Sequence, residues 1–249
     1  MLHYKKQNKN RTQLENKEHA LKNTARLAGI LYLIWIITGL YAIFFVPSQT
    51  IVEGDAVGTA NKILANEFVF RTGIINDIIS AILWVLMALI FYRLFKQVNE
   101  LLAKLLVALV IVQIPTFFLM EAFNITSLML FKGKILKTFE PSQRQDLAML
   151  FFKINGYGSI VLESFWGLWL LPFGQLVYKS GFIPRIFGVF LILNGIALII
   201  HCFTHLLLPD YQTLVYQFAT PFFILGEISI MLWLLIMGVK KNISTIEKQ

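Results

Sequence analysis

The stretch ARLAGILYLIWIITGLYAIFFV, Ala25–Val46, decides the fold: its one charge, Arg26, sits at its very start. A helix rises 1.5 Å per residue, so about 20 apolar residues cross the roughly 30 Å hydrocarbon core of a bilayer. Five more runs of this kind follow, roughly Gly73–Phe95, Leu101–Asn124, Leu147–Tyr178, Ile183–Leu208 and Thr213–Val239. Inside hydrocarbon every backbone N–H and C=O must be satisfied without water, which a helix achieves within one segment. A closed barrel would instead show alternating segments of about ten residues, and these runs are continuously apolar. The chain therefore reads as an all-α membrane protein, a bundle of six transmembrane helices.

Composition agrees. Of 249 residues, 57% are hydrophobic and 14% charged, against about 25% charged in soluble domains. The division is a basic polar arm at 1–24, one membrane domain at 25–239, and a polar tail at 240–249. The net charge of +8 invites a nucleic-acid reading, but 15 of the 22 Lys and Arg fall on one side of the predicted bundle. They cluster in the arm up to Arg26, at Arg93, Lys96 and Lys104, at Lys179 and Arg185, and in the tail. The other side holds Lys62, Arg71, Lys132, Lys134, Lys137, Arg144 and Lys153, most of them in one basic connection after the third span. Loop Lys/Arg bias sets orientation, so both termini are predicted cytoplasmic. The charge is an address and a contact for lipid headgroups, with no nucleic acid implied. The first run exceeds a signal-peptide core of about 7–15 residues, and no A-x-A-like site follows it. Cys202 is the only cysteine, which excludes an intramolecular disulfide.

Between the spans, Val57, Ala60, Leu64 and Phe68 space an amphipathic helix expected on the outer surface, with Asp55 as its N-cap. Ser142-Gln143-Arg144-Gln145 has the pattern of a capping box opening the fourth helix. Pro184 after Gly181 marks a tight turn, and Pro115, Pro172 and Pro221 fall inside spans, where kinks are expected. Tyr41, Tyr157, Tyr211, Tyr216, Tyr92 and Tyr178 lie near span ends, as an interfacial belt does.

ARLAGILYLI (25–34), FRTGIINDII (70–79), LAKLLVALVIVQIP (102–115), LAMLFFKINGYG (147–158), FWGLWLLPFGQLVYKSGFIPRIFGV (165–189), LLLPDY (206–211) and GEISIMLWLLIMGV (226–239) together resemble the bacterial integral-membrane family known as domain of unknown function 4386. The likeness covers roughly 25–239, and 165–189 is its most distinctive part. It implies a multi-pass protein of the bacterial cytoplasmic (inner) membrane and transfers no catalytic residue.

Ionisable side chains inside a bilayer cost about 2.5–3.5 kcal/mol each on insertion scales, so each is a functional candidate by default. The spans contain Asp77, Glu121, Glu163, His201, His205 and Glu227, with Asn76, Gln113, Asn124, Asn155 and Asn194 beside them. At about 100° per residue, Asn194, His201 and His205 share one face, and so do Asn155, Ser159, Glu163 and Trp166. Four carboxylates lie at depths where no Lys or Arg accompanies them. Such groups must take up protons or gain a cation. The expectation is that these acids meet in one hollow open to the outside, with Asp77, Glu121, Asn155, Glu163, Asn194 and Glu227 as ligand- or proton-binding candidates.

Three readings follow. One is a non-enzymatic pocket for a proton, a cation or a small cationic molecule, serving transport, sensing or tolerance, with no cofactor. Another is a metal-dependent membrane hydrolase or transferase, with zinc on the i,i+4 pair His201 and His205 plus carboxylates. Against it, no glutamate stands between the two histidines. The third is a structural or partner membrane protein whose polar stripes specify packing. Near the boundary, Asp77 and Glu121 could instead snorkel to water or pair with Arg71. Six spans are few for a transporter, and a homo-oligomer could supply the rest. Phosphate-loop, dinucleotide, serine-elbow and C-x-x-C motifs are missing from the sequence, so those chemistries are unsupported.

Overall fold

The computed structural model describes residues 2–239, without the side chains of 2–12 and 14; the tail at 240–249 lies outside the described residues. Among the described residues all regular structure is helical. The elements are α1 (Leu2–Leu40), a π-helical turn (Tyr41–Phe45), α2 (Val46–Thr50), α3 (Ala56–Ala65), α4 (Glu67–Phe95) and α5 (Glu100–Ile111). Then come α6 (Ile114–Phe131), α7 (Pro141–Ser180), α8 (Arg185–Leu207), a 3₁₀ turn (Pro209–Tyr211) and α9 (Gln212–Ile236). Among the described residues six stretches are long and apolar enough to cross a bilayer: Glu15–Thr50, Glu67–Phe95, Glu100–Phe131, Pro141–Ser180, Arg185–Leu207 and Pro209–Ile236. α1 runs unbroken through the junction between the basic arm and the first apolar run.

Proline placement explains most of the punctuation. Pro47 has no N–H, and its ring crowds the carbonyl one turn earlier; the chain widens to a π turn over Tyr41–Phe45 and continues as α2. At Pro115 the third span is interrupted by a turn over Val112 and Gln113, both still αR, within one stretch Glu100–Phe131. α5 stops at Ile111, and α6 starts at Ile114 with Pro115 in its first turn, where a missing N–H costs nothing. The buried Gln113 amide donates to Leu109 O at 2.5 Å, satisfying a carbonyl beside the turn. Pro172 and Pro221 stay within the continuous helices α7 and α9. The capping box of α7 forms two residues before the expected one. Glu140 is the N-cap, Pro141 follows at the first helical position, and the Glu140 N–H donates to Gln143 Oε1 at 3.0 Å.

α3 has the expected cap, Gly58 N–H donating to Asp55 Oδ1 at 2.8 Å, and ends at Ala65, before Phe68. It buries Thr59, Ala60 and Ile63, while Val57, Leu64 and Phe68 stay exposed. The Thr59 hydroxyl decides this rotation, accepting from Val52 N and donating to Val52 O, both at 3.0 Å. The Lys62 ammonium closes the same corner on Ser48 O (2.8 Å) and Ile51 O (3.1 Å), the free carbonyls at the end of α2.

The helices form a ring in which α1 touches α4 and α9, α4 touches α5 and α6, and α7 packs against α5, α6 and α8. At its centre lie buried aromatics: Tyr32 from α1, Trp84, Phe91 and Phe95 from α4, and Trp169 and Phe173 from α7. α7 and α8 come together through four glycines. A methyl on Gly188 would lie 2.6 Å from Gly174 O, and one on Gly195 would lie 2.7 Å from Gly167 O. Only hydrogen fits there. This backbone-to-backbone approach is the usual means of packing helices where lipid supplies no hydrophobic drive.

Candidate functional site

The intramembrane polar residues divide into three groups rather than sharing one hollow. Termini-side and loop-side are used below for the two ends of the bundle; α3, the α6–α7 connection and the α8–α9 turn share the loop-side end.

The first group joins α1, α4, α6 and α7. Asn76 donates to Thr38 O of α1 (3.0 Å) and to Asp77 Oδ1 (3.1 Å). Glu121, only 6% exposed, accepts from Asn124 Nδ2 at 3.0 Å. Asn155 of α7 donates to Met120 O at 3.0 Å, and its amide is also within reach of the Glu121 carboxylate. A cavity of about 250 Å³ opens beside them, with Asp77, Asn124 and Asn155 in its wall and Phe70 and Phe152 as apolar lining. No Lys or Arg lines it. The Asn124 side-chain oxygen is buried there without a protein partner.

The second group joins α7 to α8. His201 Nδ1 meets Glu163 Oε2 at 2.7 Å, with the side chains 12% and 19% exposed. Around the imidazole stand Tyr216 and Phe223 of α9, ring centres 5.4 and 6.5 Å away, and His205 one turn along α8 at 6.4 Å. The third group ties α1, α8 and α9 together deeper in the bundle. Glu227 accepts from Tyr32 OH at 2.8 Å and from Asn194 Nδ2 at 3.2 Å. Tyr32 and Asn194 are completely buried.

Glu163 and Glu227 thus each have their own partners and do not bond each other. Helix phase correctly put Asn194, His201 and His205 on one face of α8, yet that face meets two neighbours, Glu227 deep in the bundle and Glu163 near the loop-side end. Arg71 pairs with neither Asp77 nor Glu121: it reaches Glu67 at 2.8 Å, and Lys132 closes on the other Glu67 oxygen at 2.5 Å, tying α4 to α6 at their loop-side ends. Among the described residues, no Lys or Arg forms an ion pair with any of the four intramembrane carboxylates. Nor do three or more His, Cys, Asp or Glu side chains among them gather closely enough to hold a metal. His201 and His205 stand edge to face, and the Nδ1 of His201 is already engaged by Glu163.

Tyr32 is the functional-site residue that the sequence reading missed. Its signal was present: a phenol in mid-span, far from either interfacial belt, needs a buried acceptor. Glu67 was missed because it precedes the apolar run, although it stands four residues before Arg71.

A family model described as "Domain of unknown function (DUF4386)" matches residues 27–238. The chain belongs to this family. Neither the curated proteins nor the solved structures contain a match. The family match spans α1 to α9 and so includes every residue of the three polar groups. For this DUF4386 chain the bundle's own geometry must therefore carry the functional argument.

Proposed function

We propose that the protein is a non-enzymatic, multi-pass protein of the bacterial inner membrane, with both termini in the cytoplasm and a polar pocket facing outward that takes up a small cation. The observation carrying this reading is a cavity with Asp77, Asn124 and Asn155 in its wall, Glu121 bonded to Asn124, and no Lys or Arg in its lining. The Asn124 side-chain oxygen, buried without a protein partner, and Asn155 would complete a cation's shell, with Asp77 in the wall and Glu121 bonded to Asn124 supplying the charge. Two such acids held together in low dielectric repel unless a proton or another cation lies between them. The lysine and arginine distribution supports the orientation, and the cavity then opens on the outer side, where the exposed Val57, Leu64 and Phe68 would rest α3 and the start of α4 on the lipid surface. Transport, sensing and tolerance all use such a site. The zinc-hydrolase reading has no comparable support, since its two histidines lack a third ligand.

Cysteine accessibility tests the proposal. Asn155→Cys in a Cys202→Ser background, in intact cells, should react with membrane-impermeant thiol reagents added outside, and faster with a cationic reagent than with an anionic one. Adding Asp77→Asn and Glu121→Gln should abolish that preference. Reaction only from the cytoplasmic side, or equal rates for both reagents with the carboxylates intact, would refute it.

A further inference from the structure

A second line of ionisable groups runs along the α8–α9 side and shares no residue with the Asp77–Glu121 cavity. His205 lies in the last turn of α8, and His201 follows one turn deeper with Glu163 on its Nδ1. Asn194 sits seven residues further in on the same face, about 10 Å along the axis. There Asn194 Nδ2 and Tyr32 OH hold the Glu227 carboxylate. Phe223 stands between the two levels: it lies one turn before Glu227 on α9, and its ring meets the His201 ring edge to face. Asn194 Oδ1 is buried without a partner at the deep end.

We propose that Glu227 is a proton-binding site loaded from the loop-side end through His201 and Glu163, with Phe223 as the apolar barrier in the path. A proton arriving from the loop-side end is received at the His201–Glu163 pair, whose Nδ1 and Oε2 lie 2.7 Å apart. The ring's other nitrogen then gives its proton to a file of water molecules covering the roughly 10 Å to the open acceptor of Asn194. The last of them passes a proton to the Glu227 carboxylate, and His201 returns to the neutral imidazole. One proton has moved, and no bond other than those to hydrogen has changed.

The groups facing each station are few. His201 faces Glu163 from α7, His205 on its own helix, and Tyr216 and Phe223 from α9; Cys202 lies near Glu163. Glu227 faces Tyr32 from α1 and Asn194 from α8, and among the described residues it forms no ion pair. Charge accepted at Glu227 must therefore be balanced by the proton itself.

Infrared spectroscopy of the full-length protein in lipid nanodiscs tests this without any known ligand. A carbonyl stretch of a protonated carboxyl should disappear in Glu227→Gln. After a rapid change from H2O to D2O its downshift reports how fast protons reach the site. His201→Phe and Glu163→Gln should each slow that exchange at least about tenfold, equivalent to about 1.4 kcal/mol on the barrier. Phe223→Ala should accelerate it. An exchange rate unchanged by either histidine-side variant and by Phe223→Ala would overturn the proposal, as would the absence of a band lost in Glu227→Gln. If the histidine-side variants do not fold, Phe223→Ala decides alone. A negative result for cation uptake at Asp77 and Glu121 would leave this outcome untouched.

Discussion

Gly188→Ala should weaken the α7–α8 contact, and the close approach there gives both sign and size. In open helical space alanine is favoured over glycine by about 0.8–1.0 kcal/mol, so the substitution starts with a gain. At Gly188 the new methyl would meet Gly174 O at 2.6 Å, Tyr178 N at 2.7 Å and Tyr178 Cα at 3.0 Å. All three are backbone atoms, which no rotamer change can move aside. Overpacking of that kind costs about 1–3 kcal/mol, and with nothing flexible to yield the upper end applies. The net effect is a loss of about 2 kcal/mol. Gly39 is the internal control: a methyl there meets nothing within 4 Å, so Gly39→Ala should gain about 0.5–1 kcal/mol. The two variants differ by one methyl each from the same parent, and their stabilities should lie about 3 kcal/mol apart. Equilibrium unfolding in bicelles, read by steric trapping, measures the difference. A Gly188→Ala protein as stable as the parent would refute the close approach, and so would a Gly39→Ala protein destabilised to the same extent.

Tyr32→Phe keeps the ring contacts to Trp35, Phe91 and Phe173 and removes only the hydroxyl that serves Glu227. Combined with Glu227→Gln in a double-mutant cycle it should show a coupling of about 0.6–1.7 kcal/mol; strict additivity would mean that the hydrogen bond is not made. Asn99→Ala removes the N-cap of α5, which accepts from Leu102 N at 2.9 Å, and should cost about 1 kcal/mol in the same unfolding assay, whereas Asn99→Asp should cost little. Cys202, 2% exposed, should resist a membrane-permeant maleimide in the folded protein and react at once after unfolding in detergent; prompt labelling of the native protein would contradict its burial.

The helices were legible because crossing a bilayer demands a run length that composition alone reveals. Their ends were less so, since each depends on a competition invisible in one segment. Pro115 read as a kink, and the helical ladder loosens at Val112 and Gln113, where the Gln113 amide caps the freed Leu109 carbonyl. The α7 box moved because Glu140 before Pro141 outcompetes Ser142 once proline fixes the first helical residue. The rotation of α3 follows from the Thr59 hydroxyl, whose two bonds to Val52 turn Thr59, Ala60 and Ile63 inward and leave Val57 and Leu64 exposed. The same limit governed the polar groups. Helix phase placed Asn194, His201 and His205 on one stripe correctly. Which neighbour each would meet depends on how α7 and α9 flank α8, and that is fixed by the glycine seam and the ring order of the bundle.

Calorimetric titration of the purified protein in lipid nanodiscs with sodium and with methylammonium tests the account most directly. At least one of the two should bind saturably, and the heat should vanish in Asp77→Asn/Glu121→Gln while the unfolding midpoint of that variant stays measurable. Binding unchanged in the double variant, or no heat from either cation with the wild type, would contradict the claim that these two acids form a cation site.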